Sequence, residues 1–287
     1  MSDILRLENI SYVYSKGTPF EKYALKNVNV TFKRGRITGL IGHTGSGKST
    51  LVNLLNGLYR PTEGKVILDG EDIWEKPKEI AKVRFRVGLV MQYPEYQLFE
   101  ETVEKDIAFG PLNQGLSEDE IPERVREAAN FAGLSQEVLS KSPFDLSGGQ
   151  KRRVAIAGII AMRPDVLVLD EPAAGLDPRG RREILGGLRA YAEKMNASII
   201  LVSHSMEDMA YYCDDVVVMY KGEIFKTGEV REIFSEADSL ISVGLDVPVI
   251  SRIAENLKKK GIALSGDLYT VDGVKEAIIR YVGGERK

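Results

Sequence analysis

The sequence predicts an α/β protein built around a parallel sheet, and two features of the chain predict it. Short, almost wholly apolar runs of strand length recur along the 287 residues, and amphipathic helical patterns separate them. Alternating strands and helices favour right-handed βαβ units, whose strands are parallel and buried on both faces. A chain of this length can hold one main domain and an appendage.

The strands and helices can be assigned in chain order from their hydrophobic patterns. Apolar and polar residues alternate at 4–14 and 25–35, which predicts an antiparallel β layer. Apolar runs predict buried parallel strands at 36–42, 87–92, 165–171, 197–204 and 215–220. Amphipathic patterns predict helices at 47–58, 117–133, 148–162 and 179–195, and a hairpin is predicted at 220–228.

A domain boundary is predicted near residue 235. Residues 1–235 would form the main domain, with a helical subdomain at about 93–162. The remaining residues, 236–287, contain helical patterns at 248–261 and 273–284. They predict a small C-terminal helical unit, for which dimerisation is a candidate role.

Composition excludes several classes of protein. The net charge is −3, so the chain lacks the basic footprint of a general nucleic-acid binder, and no nucleic-acid partner is expected. The single cysteine, Cys213, cannot form an intramolecular disulfide. The first ten residues lack the pattern of a secretory signal. Because no stretch approaches 18 apolar residues, we do not expect the chain to span a membrane.

Residues 42–50, GHTGSGKST, match the phosphate-loop pattern G-x-x-x-x-G-K-[ST] between a predicted strand and a predicted helix. Glycines allow backbone N–H groups to turn toward phosphates, and the helix N-terminus adds partial positive charge. Lys48 is expected to reach the β- and γ-phosphates, and the Ser49 hydroxyl to ligate Mg²⁺. His43 could be a loop filler instead of a nucleotide contact. The candidate ATP-binding residues of the loop are Gly42, His43, Thr44, Gly45, Ser46, Gly47, Lys48, Ser49 and Thr50.

Two acidic residues, Asp170 and Glu171, stand at the end of the predicted strand 165–171. Ligands of open parallel sheets collect at the carboxyl ends of the strands. We expect Asp170 to hold Mg²⁺, through water, and Glu171 to polarise an attacking water molecule as a general base. The alternative is a pair of exposed acids at a strand end.

A second glycine motif, LSGGQ, covers Leu146, Ser147, Gly148, Gly149 and Gln150. It has no lysine, and Ser147 alone would be a good helix N-cap. With a complete phosphate loop upstream, the motif resembles the signature of ATP-binding cassette (ABC) ATPases. In that family the signature of one subunit closes over the γ-phosphate held by the other. The resemblance therefore implies a second ABC ATPase subunit, identical or paralogous, as a partner.

The remaining motifs of this resemblance follow in order over residues 4–235. Tyr14 matches the aromatic residue that stacks on adenine, and Gln92 matches the Q-loop glutamine that touches Mg²⁺ or the water. Asp177 matches the D-loop residue that faces the other subunit, and His204 matches the switch histidine at the γ-phosphate. Ala173 stands where Ser or Thr is common, and activity is expected to survive this departure. The resemblance implies a P-loop NTPase of the ABC-ATPase fold that hydrolyses Mg²⁺-bound ATP.

The segment 92–111 indicates a branch of the family. It resembles the A-components of energy-coupling factor (ECF) transporters, which import vitamins and transition-metal ions. The residues that carry this resemblance are Gln92, Pro94, Glu95, Gln97, Leu98 and Phe99. It implies a peripheral ATPase on the cytoplasmic face of the cell membrane, with a membrane T-component and substrate-binding S-components as partners. The competing function is a soluble ABC ATPase acting on a macromolecular complex, or a transporter ATPase of another subfamily.

The same segment is expected to receive the membrane partner. Tyr96, Leu98 and Phe99 would help to line a partly apolar groove in which an apolar helix face docks. For Leu98 and Phe99, the alternative is ordinary core packing. A helix is expected from Thr102 to Phe109.

Overall fold

The computed structural model describes residues 2–284. The strands are β1 (Asp3–Tyr14), β2 (Lys22–Lys33), β3 (Ile37–Ile41), β4 (Glu63–Leu68), β5 (Glu71–Asp72), β6 (Val87–Val90), β7 (Val166–Asp170), β8 (Ser198–Val202), β9 (Asp215–Tyr220) and β10 (Glu223–Glu229). The helices are α1 (Lys48–Leu55), α2 (Ile80–Arg86), α3 (Val103–Asn113), α4 (Ile121–Phe131), α5 (Gly148–Ile160), α6 (Pro178–Met195), α7 (Met206–Tyr212), α8 (Val230–Ser235), α9 (Ala237–Ser242), α10 (Val249–Lys259) and α11 (Val271–Gly284).

A mostly parallel six-stranded sheet forms the centre of the molecule, in the order β10-β9-β3-β8-β7-β6. Strands β9, β3, β8, β7 and β6 are parallel, and β10 pairs with β9 as the predicted antiparallel hairpin. The fold class predicted from the sequence is confirmed. Because the strands are parallel, the chain segments that follow β3, β6, β7 and β8 all leave the same edge of the sheet.

A four-stranded antiparallel sheet, in the order β2-β1-β4-β5, forms the second layer. Strands β1 and β2 pair with Leu7 opposite Val30, which confirms the predicted antiparallel layer, whereas β4 and β5 were not predicted. Side chains of β1 pack in one apolar core with Leu51 and Leu54 of α1 and with Leu40 of β3. The phosphate-loop helix is therefore held between the two sheets.

A second apolar core lies on the other side of the parallel sheet, where α3, α4, α5 and α6 contribute buried residues. Several predicted boundaries shift in this region. The helix expected from Thr102 to Phe109 is α3, which continues to Asn113. Residues 117–120 form a turn instead of the start of α4, because the N–H and Oγ of Ser117 donate to the Glu120 carboxylate at 3.1 and 2.8 Å. The strand predicted at 87–92 ends at Val90, before Pro94.

The C-terminal helices α10 and α11 lie within the two helical patterns predicted there, or extend them by a few residues. Helix α8 ends at Ser235 and α9 begins at Ala237, near the predicted boundary. The division into domains stays a prediction, and its residues 1 and 285–287 lie outside the described part of the chain.

Candidate active site

The carboxyl edge of the parallel sheet carries a cleft of about 420 Å³. It collects residues that are far apart in the sequence, because β3, β6, β7 and β8 all end there. The residues that line it are Tyr14, Lys22, Tyr23, Ala24, Thr44, Gly45, Gly47, Lys48, Ser49, Thr50, Gln92, Asp170, Glu171, Val202 and His204. Most of the residues predicted from the phosphate loop, the acidic pair and the switch histidine therefore share one cleft.

The phosphate loop joins β3 to α1, and its last glycine cannot be replaced without strain. Gly47 has φ 105°, a left-handed conformation that favours glycine. A Cβ at this position would lie 2.7 Å from Leu25 Cδ2 and 2.8 Å from the carbonyl oxygen of Ala24. The phosphate loop therefore packs directly against β2. Position 47 needs glycine for its left-handed backbone and also because a side chain would collide with this strand.

The Lys48 ammonium lies inside the loop, where it donates to the carbonyl oxygens of Gly42 and His43 at 2.5 and 3.1 Å. Burial lowers the pKa of this amine, and the nearby Asp170 and Glu171 oppose the shift. Carbonyl groups are weak substitutes for phosphate oxygens as partners of a buried cation. The amine is therefore placed to exchange these contacts for an anion in the cleft.

The predicted acidic pair stands at the end of β7. Glu171 has φ 53°, and its N–H donates to the carbonyl oxygen of Val202 at 3.0 Å, which ties it to β8. Its Oε1 is buried, has no hydrogen-bond partner among the described residues, and lies 3.7 Å from His204 Nε2. Burial raises the pKa of both Glu171 and Asp170, although His204 and Lys48 oppose the shift. A desolvated carboxylate with one unpartnered oxygen in a cleft suits a general base.

Oxygen donors for a metal ion are also present in the cleft. Ser49, Gln92 and Asp170 line it together, and a hydroxyl, an amide oxygen and a carboxylate suit a hard cation such as Mg²⁺. Within residues 2–284, no three His, Cys, Asp or Glu side chains converge as a metal site. A metal ion at this edge of the sheet would therefore depend on hydroxyl, amide and phosphate oxygens for most of its ligands.

Four residues that line the cleft were not predicted as site residues: Lys22, Tyr23, Ala24 and Val202. Tyr23 belongs to the aromatic end of the cleft. The Tyr14 hydroxyl lies 3.0 Å from Thr50 Oγ1, and its ring meets Tyr12 edge-to-face at 4.9 Å. Tyr23, at the start of β2, is exposed and lines the same cleft. Its position one residue into a strand that packs on the phosphate loop is visible only after folding.

Three of the five signature residues, Ser147, Gly149 and Gln150, line another cleft, of about 460 Å³. Ser147 is the N-cap of α5, and it forms a capping box: its Oγ accepts from Gln150 N–H at 3.4 Å, and Gln150 Oε1 accepts from Ser147 N–H at 3.1 Å. Asp177 caps α6 in the same cleft, accepting from Gly180 N–H at 2.6 Å. The residues lining this cleft are Gly133, Leu134, Ser135, Val138, Ser147, Gly149, Gln150, Arg153, Gly175, Leu176, Asp177 and Gly180.

The segment after Gln92 forms a 3₁₀ turn at Pro94–Gln97. Tyr96 is 84% exposed and Phe99 56%, but Leu98 is only 8% exposed and belongs to the core on that side of the sheet. The prediction that Leu98 lines a docking groove is therefore corrected in favour of core packing. The turn explains this, because the N–H groups of Phe99 and Glu100 both donate to one carboxylate oxygen of Asp106 at 3.0 Å.

A mostly apolar groove of about 210 Å³ does lie beside this turn. Gln97 lines it from the 3₁₀ turn, and the other lining residues were not predicted from the sequence. They are Asn56, Leu58, Arg84, Phe85, Leu89, Met91, Ile159 and Met162. These residues come from four separated stretches of chain, so hydrophobic patterns could not group them.

A nucleoside-triphosphate cleft whose companion glycine motif lies outside it is the arrangement of an ATP-binding cassette, and comparisons with known proteins agree. The ABC transporter family model matches residues 25–174. A second model, an AAA domain of a type IV toxin–antitoxin system, matches residues 142–209.

Curated relatives cover nearly the whole chain. The energy-coupling factor transporter ATP-binding protein EcfA2 of Caldanaerobacter subterraneus subsp. tengcongensis is 52% identical over 282 residues, covering 98% of this chain and 99% of that protein. EcfA2 of Clostridium tetani is 52% identical over 277 residues, with 96% of each chain covered.

Solved structures give the same result. CbiO1 from Clostridium perfringens, part of the ABC transporter complex cbiONQ, has a TM-score of 0.76 and 39% identity, covering 90% of this chain and all of that one. The dimeric ATP-binding cassette MJ0796 bound to ADP and Pi has a TM-score of 0.71 and 29% identity, covering 79% and 99%. The chain belongs to the ABC transporter ATPases and, within them, to the ATP-binding proteins of energy-coupling factor transporters. Proteins of this family hydrolyse ATP to power transport.

Proposed function

We propose that this chain forms one half of a cassette pair in which each ATP is held between the phosphate loop of one subunit and the signature of the other. One observation carries this proposal: within a single chain, Ser147 lines a different cleft from Lys48. The two halves of the site therefore need a second subunit to meet. The dimeric state of MJ0796 with ADP and Pi supports the pairing of two cassettes.

The residues of the phosphate cleft take distinct roles in this proposal. Lys48 and the loop N–H groups bind the phosphates, and Tyr14 stacks on the adenine. Glu171 accepts the proton of the attacking water, and its buried, unpartnered Oε1 supports this assignment. His204 steadies the γ-phosphate, which its position 3.7 Å from Glu171 allows.

Mg²⁺ fits the oxygen donors of the cleft and would be held by Ser49, Gln92 and Asp170 together with the nucleotide. The metal ion neutralises charge on the β- and γ-phosphate oxygens when bound. The chain's own contribution is to place Asp170 at the end of a rigid buried strand, next to the base. Gln92 comes from the segment that continues to the docking surface, so the metal site and that surface share one loop.

The membrane partner in this proposal is a T-component that docks a helix beside the 3₁₀ turn, while S-components recognise the cargo. Tyr96 and Phe99 are exposed, and the apolar groove at Gln97 lies next to them. In this proposal the chain lies on the cytoplasmic face of the membrane, as a peripheral subunit of an importer for vitamins or transition-metal ions. No helix of residues 2–284 has the length and apolar character to cross a bilayer, so attachment would depend on the partner.

Mixed pairs of subunits test the composite site. One copy carries Lys48→Ala and the other Ser147→Arg, with different affinity tags so that only mixed pairs are isolated. One composite site then lacks both the lysine and the signature serine, and the other composite site keeps both. We expect ATP hydrolysis to return partly in mixed pairs, because each variant alone damages both sites.

The matched control carries both substitutions in one copy and pairs it with a wild-type copy, so that each site lacks one element. This pair should hydrolyse less ATP than the first. Equal rates in the two kinds of mixed pair would contradict completion by a second subunit. If this chain pairs only with a paralogue, one substitution is made in this chain and the other at the matching position of the paralogue.

Single substitutions at Leu98 and Phe99 test the docking surface. Leu98→Ala should lower the free energy of unfolding by about 2–5 kcal/mol, as expected for a buried leucine. Phe99→Ala should leave ATP binding intact but weaken co-sedimentation with membranes that contain the partner, since an interface anchor is typically worth more than ~1 kcal/mol. Unchanged co-sedimentation of a folded Phe99→Ala variant would show that Phe99 is not an anchor of the docking surface.

A further inference from the structure

A buried arginine on the signature helix bonds to two other segments of the chain. Arg152 lies on α5 and is 5% exposed, which is unusual for a charged residue. Its Nε and Nη2 donate to the two carboxylate oxygens of Glu95 at 3.1 and 2.8 Å, and its Nη1 donates to the carbonyl oxygen of Ala174. All three guanidinium nitrogens are therefore engaged.

Each partner belongs to a segment that carries a residue of the proposed mechanism. Arg152 itself is five residues after Ser147, on the helix that Ser147 caps. Glu95 is in the 3₁₀ turn that begins two residues after Gln92. The N–H of Ala174 donates to the carbonyl oxygen of Glu171 at 3.2 Å, which closes a turn on the base.

The turn at Glu171 needs support because its backbone is strained. Glu171 has φ 53°, a conformation that costs a non-glycine residue free energy and persists only where neighbouring contacts enforce it. Two contacts enforce it here: the bond from Glu171 N–H to Val202, and the Ala174 turn that Arg152 holds from below. The position of the base thus depends on a group of the signature helix.

The bond to Glu95 is geometrically specific as well as strong. A paired, two-point contact between a guanidinium and a carboxylate fixes both distance and angle. Burial is the largest single influence on the pKa of Glu95 and raises it, but the hydrogen bonds and the charge of Arg152, together with a backbone hydrogen bond, hold the pKa below its ordinary value. Both partners are therefore charged at neutral pH, and removing one would leave the other uncompensated in a largely buried place.

We infer that Arg152 is a positioning residue that sets Gln92 and Glu171 relative to the signature helix. The inference rests on the proposed function, because it assigns α5 to the nucleotide of a second subunit. When that nucleotide engages Ser147, a shift of α5 moves Glu95 and the Ala174 turn with it, since one guanidinium holds both. Arg152 therefore couples the closure of the subunit pair to the positions of Gln92 and Glu171, and it does so without touching the nucleotide.

Arg152→Lys is the decisive substitution, because lysine keeps the charge but cannot bond to Glu95 at two points and to Ala174 at once. It is measured in the full chain assembled with its partner subunits. We expect kcat for ATP hydrolysis to fall roughly ten- to hundredfold, as small misplacements of catalytic groups commonly do. KM for ATP should change by less than about threefold, because Lys48 and the phosphate loop are untouched.

Arg163→Lys is the matched control. Arg163 also makes two bonds to one glutamate, Glu127, at 3.1 and 2.6 Å, but neither residue lines the phosphate cleft or the signature cleft. Its kcat should stay within about twofold of the wild type, and its melting temperature shows how much stability is lost when lysine replaces an arginine in a partly buried ion pair.

Glu95→Gln gives a second measurement that does not depend on Arg152→Lys folding. It should lower kcat in the same direction, and the double variant should be no slower than Arg152→Lys alone, because residues that act as a unit are not additive. Wild-type kcat in either folded variant would overturn the inference, as would a parallel loss of melting temperature and ATP affinity. An inactive wild-type assembly would instead contradict the proposed function.

Discussion

The two helix starts of this chain look alike in sequence but differ in how their first turns are capped. Helix α1 begins after Gly47, and no side chain of the described residues caps it. Helix α5 begins after Ser147, whose Oγ accepts the Gln150 N–H while the Gln150 side chain accepts the Ser147 N–H. The first helix leaves its N–H groups available, and the second has already bonded one of them within its own turn.

This difference shows what each helix start does before the subunits meet. An open helix N-terminus with a buried lysine is prepared to bind phosphate in the isolated chain. A capped helix N-terminus is stable without a ligand. In the proposed pair the Ser147 hydroxyl, which donates to Gln150 Oε1 at 3.1 Å, would have to donate to a phosphate oxygen instead. Nucleotide binding should therefore depend on the first region alone, and hydrolysis on both regions.

Glu171→Gln gives the largest expected effect, because it stops the reaction after the two regions have met. Removing a general base typically costs about 10²–10⁴ in rate, whereas glutamine still fits the site and ATP binding should be kept. The variant should accumulate as an ATP-dependent subunit pair, measured by gel filtration with and without ATP. A rate within about tenfold of the wild type would exclude Glu171 as the base.

Lys48→Ala should act on the first region alone. Losing a charge-assisted contact to phosphate costs about 1.5–3 kcal/mol, so the Kd for ATP should rise roughly ten- to hundredfold. Titration calorimetry on the nucleotide-free chain measures it, and Lys65→Ala, at an exposed position on β4, is the control. Unchanged affinity would mean that the loop N–H groups bind phosphate without the lysine.

A pair of glycine substitutions compares the two regions directly. Gly47→Ala should destabilise the fold by at least about 1 kcal/mol, because the backbone is left-handed and the new Cβ would meet Leu25 and Ala24. At Gly148 a Cβ would meet no atom of the described residues within 4 Å, so Gly148→Ala should keep its melting temperature. It should still lower ATP hydrolysis by the assembled pair. An equal loss of melting temperature in both variants would contradict the comparison.

The pH dependence of stability gives the smallest expected effect. Burial raises the pKa of Glu171, so the folded chain binds this proton more tightly than the unfolded chain does. The resulting stabilisation is complete below the ordinary glutamate pKa of about 4.3 and is lost as the pH rises through the folded-state value. Glutamine stays neutral, so Glu171→Gln avoids that loss. Its melting temperature should exceed that of the wild type at pH 7 and match it near pH 4.

The control for this titration is Glu137→Gln, at an exposed position away from the cleft. The difference in melting temperature between this variant and the wild type should not change with pH as it does for Glu171→Gln. A Glu171→Gln variant that is less stable than the wild type at pH 7 would show that Glu171 makes favourable charged contacts in the nucleotide-free chain.

The phosphate loop, the acidic pair and all strands except β4 and β5 could be predicted because each is a local pattern. Alternation identified β1 and β2, apolar runs identified the parallel strands, and the strand ends placed Asp170 and Glu171 at one edge. Leu98 and Phe99 could not be separated in this way. They are adjacent apolar residues, and only the turn bonded to Asp106 decides that one is buried and the other exposed.

The sequence by itself determined the fold class, the family and the residue types of the phosphate cleft, because these depend on patterns within one strand, loop or helix. Only the tertiary structure decided which segments meet. It placed Tyr23 in the cleft, assembled the apolar groove at Gln97, and brought Arg152 to both Glu95 and Ala174. These contacts join residues separated by many positions, and which of them form depends on how the two sheets and the helices pack around shared cores.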